Sequence, residues 1–176
     1  DTFGTSGLLY NSNLVMYDRR TGSLWSQMLE QSILGPEAQR IPDRIQVVET
    51  AWQTWRTMYP ETAILSRDTG FSRDYNAYPY GSFREDQSVL YVVDNMNDTR
   101  LHRKARVVGI NVGSASKVYP IGNFSIEVDV LNDTVGDMQV VVAGSRGYNF
   151  GVIFNRELED CTVLKFEPIQ DRLPVM

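Results

Sequence analysis

Ile126-Glu127-Val128-Asp129-Val130 alternates apolar and acidic residues at every step. A period of two sends successive side chains to opposite faces, so the stretch reads as a half-buried β-strand. Short runs of the same character precede it: Leu8-Leu9-Tyr10, Leu14-Val15-Met16-Tyr17, Val89-Leu90-Tyr91-Val92-Val93, Val107-Val108-Gly109-Ile110 and Lys117-Val118-Tyr119. Gln139 to Ala143, Phe150 to Phe154 and Thr162 to Phe166 follow it. Turn residues separate the runs, as Asn11-Ser12-Asn13, Arg20-Thr21-Gly22, Asn132-Asp133-Thr134 and Gly144-Ser145-Arg146-Gly147. β-Branched and aromatic residues between regular breaks predict a mainly β fold, a sandwich or a barrel-like sheet.

One segment changes period. Ala51-Trp52, Trp55 and Met58-Tyr59 fall at the three-and-four spacing of an amphipathic helix. The spacing predicts one short helix from Thr50 to Tyr59, with Thr50 and Gln53 as a capping box and Pro60 as its stop. Trp52 and Trp55 are expected to press against a sheet.

The 176 residues suit a single β-rich domain, with two pseudo-repeat halves, 1–100 and 101–176, as the internal division. Seventeen Lys and Arg against 22 Asp and Glu leave a net charge of −5, which argues against nucleic acid as a partner. No apolar run approaches the ~20 residues of a transmembrane segment. Cys161 and His102 stand alone in their types, which excludes an internal disulfide and a Cys/His zinc site. The carboxylates beside Cys161 disfavour its thiolate, and the cations in Thr99-Arg100-Leu101-His102-Arg103-Lys104 disfavour an imidazolium. No nucleophile set, metal or cofactor is implied, and no residue is assigned a catalytic role. Asn-x-Ser/Thr tripeptides stand at Asn97, Asn123 and Asn132.

The polar candidates cluster in a connection. Ser66-Arg67-Asp68-Thr69-Gly70 is followed by Ser72-Arg73-Asp74-Tyr75 and then Tyr78-Pro79-Tyr80. Long ordered loops carry function disproportionately, and Arg forks with Tyr faces suit a glycan or an anionic small molecule. Arg67, Asp68, Arg73, Asp74, Tyr75, Tyr78 and Tyr80 are therefore the ligand-binding candidates, with Asp18, Arg19 and Trp25 as further polar ones. Arg67 or Arg73 is expected to pair with a carboxylate and order the loop. Asp18, Asp68 and Asp74 leave open a carboxylate-based hydrolase acting on carbohydrate.

Thr2-Phe3-Gly4-Thr5-Ser6-Gly7-Leu8-Leu9-Tyr10-Asn11-Ser12, Tyr17-Asp18-Arg19 and Thr21-Gly22-Ser23-Leu24-Trp25-Ser26-Gln27 resemble the bacterial and archaeal family catalogued as domain of unknown function 3179. The likeness continues through Gly35-Pro36, the Glu49 to Trp55 helix, Ser66 to Gly81, Lys117-Val118-Tyr119-Pro120 and Asn132-Asp133-Thr134-Val135-Gly136. Members are frequently exported or membrane-anchored, so the resemblance implies a place outside the cytoplasm. Family members also carry a half with a His-Glu pair and a Cys-Pro-x-Cys motif, for which this sequence has no counterpart. The resemblance thus brings no thiol-pair or metal chemistry to these residues. Phe3 to Met16 compares loosely with Phe166 to Met176, which predicts an internal repeat cut at both ends. Strands around Leu8–Tyr17 and Val163–Met176 are then expected side by side, with open edges available to a second copy. The functional expectation is a non-catalytic extracytoplasmic binding or assembly module.

Overall fold

The computed structural model describes residues 2–43, 45, 47–88, 91 and 93–169. Among them the chain is mainly β, with nine strands in three open antiparallel sheets and a single α-helix; no sheet closes into a barrel. It divides into two compact units, Asp1–Gln46 with Tyr78–Lys104, and Val47–Ala77 with Ala105–Met176.

The first unit is built on a sheet of β1 (Phe3–Tyr10), β2 (Asn13–Asp18), β3 (Leu24–Ser26) and β4 (Gln31–Leu34), in that order. Asn11 and Ser12 join β1 to β2 with φ of 48° and 63°. Two positive φ values in a two-residue loop define the type I′ hairpin, whose twist matches that of its strands. Pairing shifts between Thr5 and Leu8, leaving Ser6-Gly7 as a bulge. The Ser6 hydroxyl fastens it by donating to the Val15 carbonyl and accepting the Leu8 N–H at 3.1 Å. Bulges interrupt an edge as a template for further strands.

In the second unit, β5 (Val107–Val112) and β6 (Ala115–Pro120) form a hairpin, and β7 (Asp129–Val135), β8 (Met138–Ser145) and β9 (Phe150–Asn155) form a sheet with β8 central. Tyr119, Ile121 and Phe124 pack with Val135, Val140 and Val142, and Val108, Ile110 and Ile153 lie against that cluster. Val141 and Ser145, on the opposite face of β8, are buried too, which explains the unbroken apolar run there. Glycine is required where backbones and rings close up. A Cβ on Gly144 would stand 2.5 Å from the Phe124 ring, and one on Gly147 2.5 Å from the Ile126 carbonyl oxygen.

Two strand expectations are corrected by the structure. The alternating stretch 126–130 enters its strand only at Asp129. Before that point, Arg146 N–H donates to the Ser125 carbonyl at 3.0 Å and the Ser145 hydroxyl to the Ile126 carbonyl at 2.6 Å, which curl the chain into a loop. Thr162 to Phe166 forms no strand; Val163 makes one isolated bridge to Glu157. Of the predicted 89–93 run, Val89, Leu90 and Val92 lie outside the described residues, as do residues 170–176 of the proposed second copy.

The helix, α1, spans Trp52–Met58 with Ala51 at its N-cap and no side-chain cap. Thr50 does not cap it. Instead the Thr50 and Thr54 hydroxyls donate to the Tyr148 carbonyl, at 2.8 and 3.0 Å. A carbonyl withdrawn from water needs such donors, and one comes from the first turn of α1 and the other from just before its N-cap. The buried residue is therefore Thr54, whereas Trp52 is 46% exposed. Trp55 is half-buried, tilted on Tyr59 with ring centroids 4.6 Å apart, its indole N–H donating to the Thr62 hydroxyl at 3.0 Å.

Candidate ligand-binding site

The hairpin tip of the first unit organises a distant segment. Asn11 Nδ2 donates to Asp94 Oδ2 at 2.9 Å while its Oδ1 accepts the Asp94 N–H at 2.8 Å. The Ser12 hydroxyl donates to the Tyr91 carbonyl at 2.9 Å. A short 3₁₀ turn, Gly81–Arg84, sets Phe83 against Tyr91 at 5.8 Å between centroids. The Lys104 ammonium lies 3.2 Å from the centre of the Phe83 ring, a cation–π contact. Arg103 donates to the Met96 carbonyl at 3.1 Å, and the Lys104 N–H donates to His102 Nδ1 at 3.1 Å.

Several of these groups border an open pocket of about 420 Å³, within the range of small-molecule sites. Its wall combines Asn11, Ser12 and Asn95 as hydrogen-bonding groups, Phe83 as an aromatic face, and Arg103 and Lys104 as positive charges. Asp98 also lines it, but Arg100 holds that carboxylate through Nε at 3.0 Å to both oxygens and Nη2 at 2.5 Å. The Arg100 hydrogen bond keeps the Asp98 carboxyl low, at about 2. Arg100 thus compensates the Asp98 charge, while Lys104 lies in the field of Asp86 and over Phe83.

The candidates read from the sequence divide between the units. Tyr78 and Tyr80 belong to the first, edge-to-face at 5.6 Å, with the Arg84 guanidinium 4.3 Å above the Tyr78 ring. They reach the cavity only through the Gly81–Arg84 turn that carries Phe83. Arg67, Asp68, Arg73, Asp74 and Tyr75 belong to the second unit and are exposed. Their two Ser-Arg-Asp triplets make separate local turns. Ser66 Oγ accepts the Asp68 N–H at 3.0 Å, and Asp74 Oδ1 accepts the Asn76 N–H at 2.9 Å. The Thr69 and Tyr75 hydroxyls bond at 2.5 Å, and Arg73 sits 5.6 Å over Phe71. Neither Arg67 nor Arg73 has a carboxylate partner among the described residues, so the expected ion pair is absent; a fully solvated guanidinium gains little from one.

Asp18 and Trp25 hold a turn together. Asp18 is 3% exposed and accepts bonds from the Thr21 hydroxyl and N–H, both at 2.6 Å, and from the Arg20 N–H and Trp25 Nε1, both at 3.1 Å. The Thr21 hydroxyl, more than any other group, lowers its carboxyl to about 2. Such a carboxylate serves poorly as a general acid. Arg19 remains exposed, donating to the Tyr17 hydroxyl at 3.1 Å.

A further cluster joins two of the quoted segments. Asp133 Oδ2 accepts the Lys117 ammonium at 2.6 Å and the Tyr119 hydroxyl at 2.8 Å. Burial, and then Asp133, push the Tyr119 phenol above its ordinary range, while the Lys117 hydrogen bond lowers Asp133. Sequence reading missed this trio because Asp133, on β7, is remote in sequence from Lys117 and Tyr119 on β6. It missed Arg103 and Lys104 because they were weighed only as neighbours of His102.

Among the described residues no group of three or more His, Cys, Asp or Glu could hold a metal ion, and no helix is long and apolar enough to cross a membrane. No curated protein and no solved structure gave a significant match. The Asp18 to Trp25 turn, the Asn11-Ser12 tip and the Lys117, Tyr119 and Asp133 cluster all fall inside residues 1–172, the span matched by the family described as Protein of unknown function (DUF3179), to which the chain belongs.

Proposed function

We propose that the chain is a non-catalytic binding module working outside the cytoplasm, and that its first-unit cavity takes a small anionic ligand of the acidic-sugar class. The carrying observation is the wall that sets Arg103 and Lys104 beside Phe83, Asn11 and Asn95. A uronate suits it: the carboxylate meets Arg103 and Lys104, and the Asn95 amide meets its hydroxyls. The extracytoplasmic location rests on the family resemblance alone. The hydrolase reading loses Asp18 to the turn it holds. Self-assembly through β1 is opposed by the Ser6-Gly7 bulge.

Calorimetric titration with uronate oligosaccharides and with neutral oligosaccharides of equal length tests the proposal. Binding of the acidic series only, weakened about tenfold or more in Arg103→Gln, is the expected result, since a charge-assisted bond contributes ~1.5–3 kcal/mol. Equal binding of both series, or binding untouched by that substitution, counts against the cavity as the site.

A further inference from the structure

The second unit has its own cavity, of about 280 Å³, between the end of β6 and the start of β7. Tyr119, Pro120, Phe124 and Leu131 give it an apolar body, and Asn123 and Asp129 give it polar groups. No cation lines it. Tyr119 contributes its ring, because burial keeps the phenol protonated and its hydroxyl is committed to Asp133.

Asp129 is held in place by its surroundings. Its Oδ2 accepts the Ser125 N–H at 3.2 Å, and the Ser125 hydroxyl donates to the Glu127 carbonyl at 3.0 Å. The loop between them is tied to β8 by Ser145 and by the Arg146 N–H. Gly144 and Gly147 clear the space that Phe124 and Ile126 occupy. Among the described residues, Asp129 Oδ1 and the Asn123 amide have no hydrogen-bond partner. A fixed carboxylate with a spare oxygen, set at an apolar slot without a compensating cation, is complementary to one positive charge on an apolar stem.

We infer that this cavity is a second ligand site, selective for a small organic cation: an alkyl or arylalkyl amine, or a guanidine of the same size. It is independent of the first-unit cavity, whose charge is opposite. The volume, near the lower limit of small-molecule pockets, suits a ligand of about a lysine or arginine side chain in size.

The test is an NMR titration of the ¹⁵N-labelled full chain with butylamine, butanol and butyrate. Butylamine is expected to shift the amides of Asn123, Val130 and Leu131 while leaving Asn95 and Arg103 unmoved. Butanol should bind at least tenfold more weakly, and butyrate should not bind. Asp129→Asn is expected to lose the amine response with its spectrum otherwise preserved. Leu131→Lys places an ammonium at the rim without touching the Ser125 bond, and should block the amine as well. Equal responses to amine and alcohol, shifts spread over both units, or full amine binding in Leu131→Lys would overturn the assignment.

Discussion

Gly147→Ala isolates the packing that fixes the 124–129 loop. An alanine Cβ would stand 2.5 Å from the Ile126 oxygen, 3.0 Å from its Cγ2 and 3.3 Å from its carbonyl carbon. Ordinary van der Waals contact begins near 3.4 Å, so backbone must move by about 0.9 Å, and that carbonyl is already held by the Ser145 hydroxyl. Overpacking of this kind costs ~1–3 kcal/mol. Gly→Ala also stiffens the unfolded chain, a gain of ~0.4–1 kcal/mol, leaving a net loss of up to about 2.6 kcal/mol. Gly122→Ala is the matched control, because nothing lies within 4 Å of its Cβ and its φ is not positive. The control should be neutral or slightly stabilising. Urea unfolding followed by tryptophan fluorescence and by circular dichroism gives both values, and the difference of ~1–3 kcal/mol is the steric term alone. Equal stability of the two variants would refute the packing described for this loop.

Other outcomes follow from the same contacts. Trp52→Ala should cost less than about 1 kcal/mol, the range of surface changes, whereas Thr54→Val should cost ~1 kcal/mol by removing a donor to Tyr148; denaturant melts rank the pair. Asp18 has its folded pKa below its unfolded value, so its contribution to stability is complete above the ordinary aspartate range and is lost as pH falls toward about 2. Acid titration should therefore show Asp18→Asn less stable than wild type at neutral pH, with the gap closing in acid and Trp25 emission reporting it. Tyr119→Phe should remove a tyrosine ionisation that lies above the ordinary tyrosine range in an ultraviolet titration.

Strands were legible where burial imposed a simple pattern. Leu14 to Tyr17 and Gln139 to Ala143 sit in β2 and β8 because pleated backbones bury such residues from one or both sides. Ile126 to Val128 carries an equally good alternation and is a loop, since Ser145 and Arg146, farther along the chain, claim the Ile126 and Ser125 carbonyls. Spacing located α1, but its two tryptophans outweighed the small hydroxyls of Thr50 and Thr54, and the Tyr148 carbonyl that selects between those faces is 98 and 94 positions away. The cavity wall was hidden for the same reason: Asn11 meets Asp94 across 83 positions. Tyr78 and Tyr80 stand out locally as aromatics beside Arg, yet neither lines the cavity. Arg67 and Arg73 were singled out on identical grounds and remain solvated.

Salt dependence of uronate binding tests the central proposal most directly. Screening lengthens or shortens the reach of exposed charges, from ~14 Å at about 0.05 M salt to ~4 Å at about 0.5 M. If Arg103 and Lys104 supply the affinity, the calorimetric Kd of the wild type should weaken by about tenfold across that range, and that of the Arg103→Gln, Lys104→Gln double variant should be weak and nearly flat. A salt-independent wild-type Kd, or one that the double variant reproduces, would contradict an anion site in this cavity.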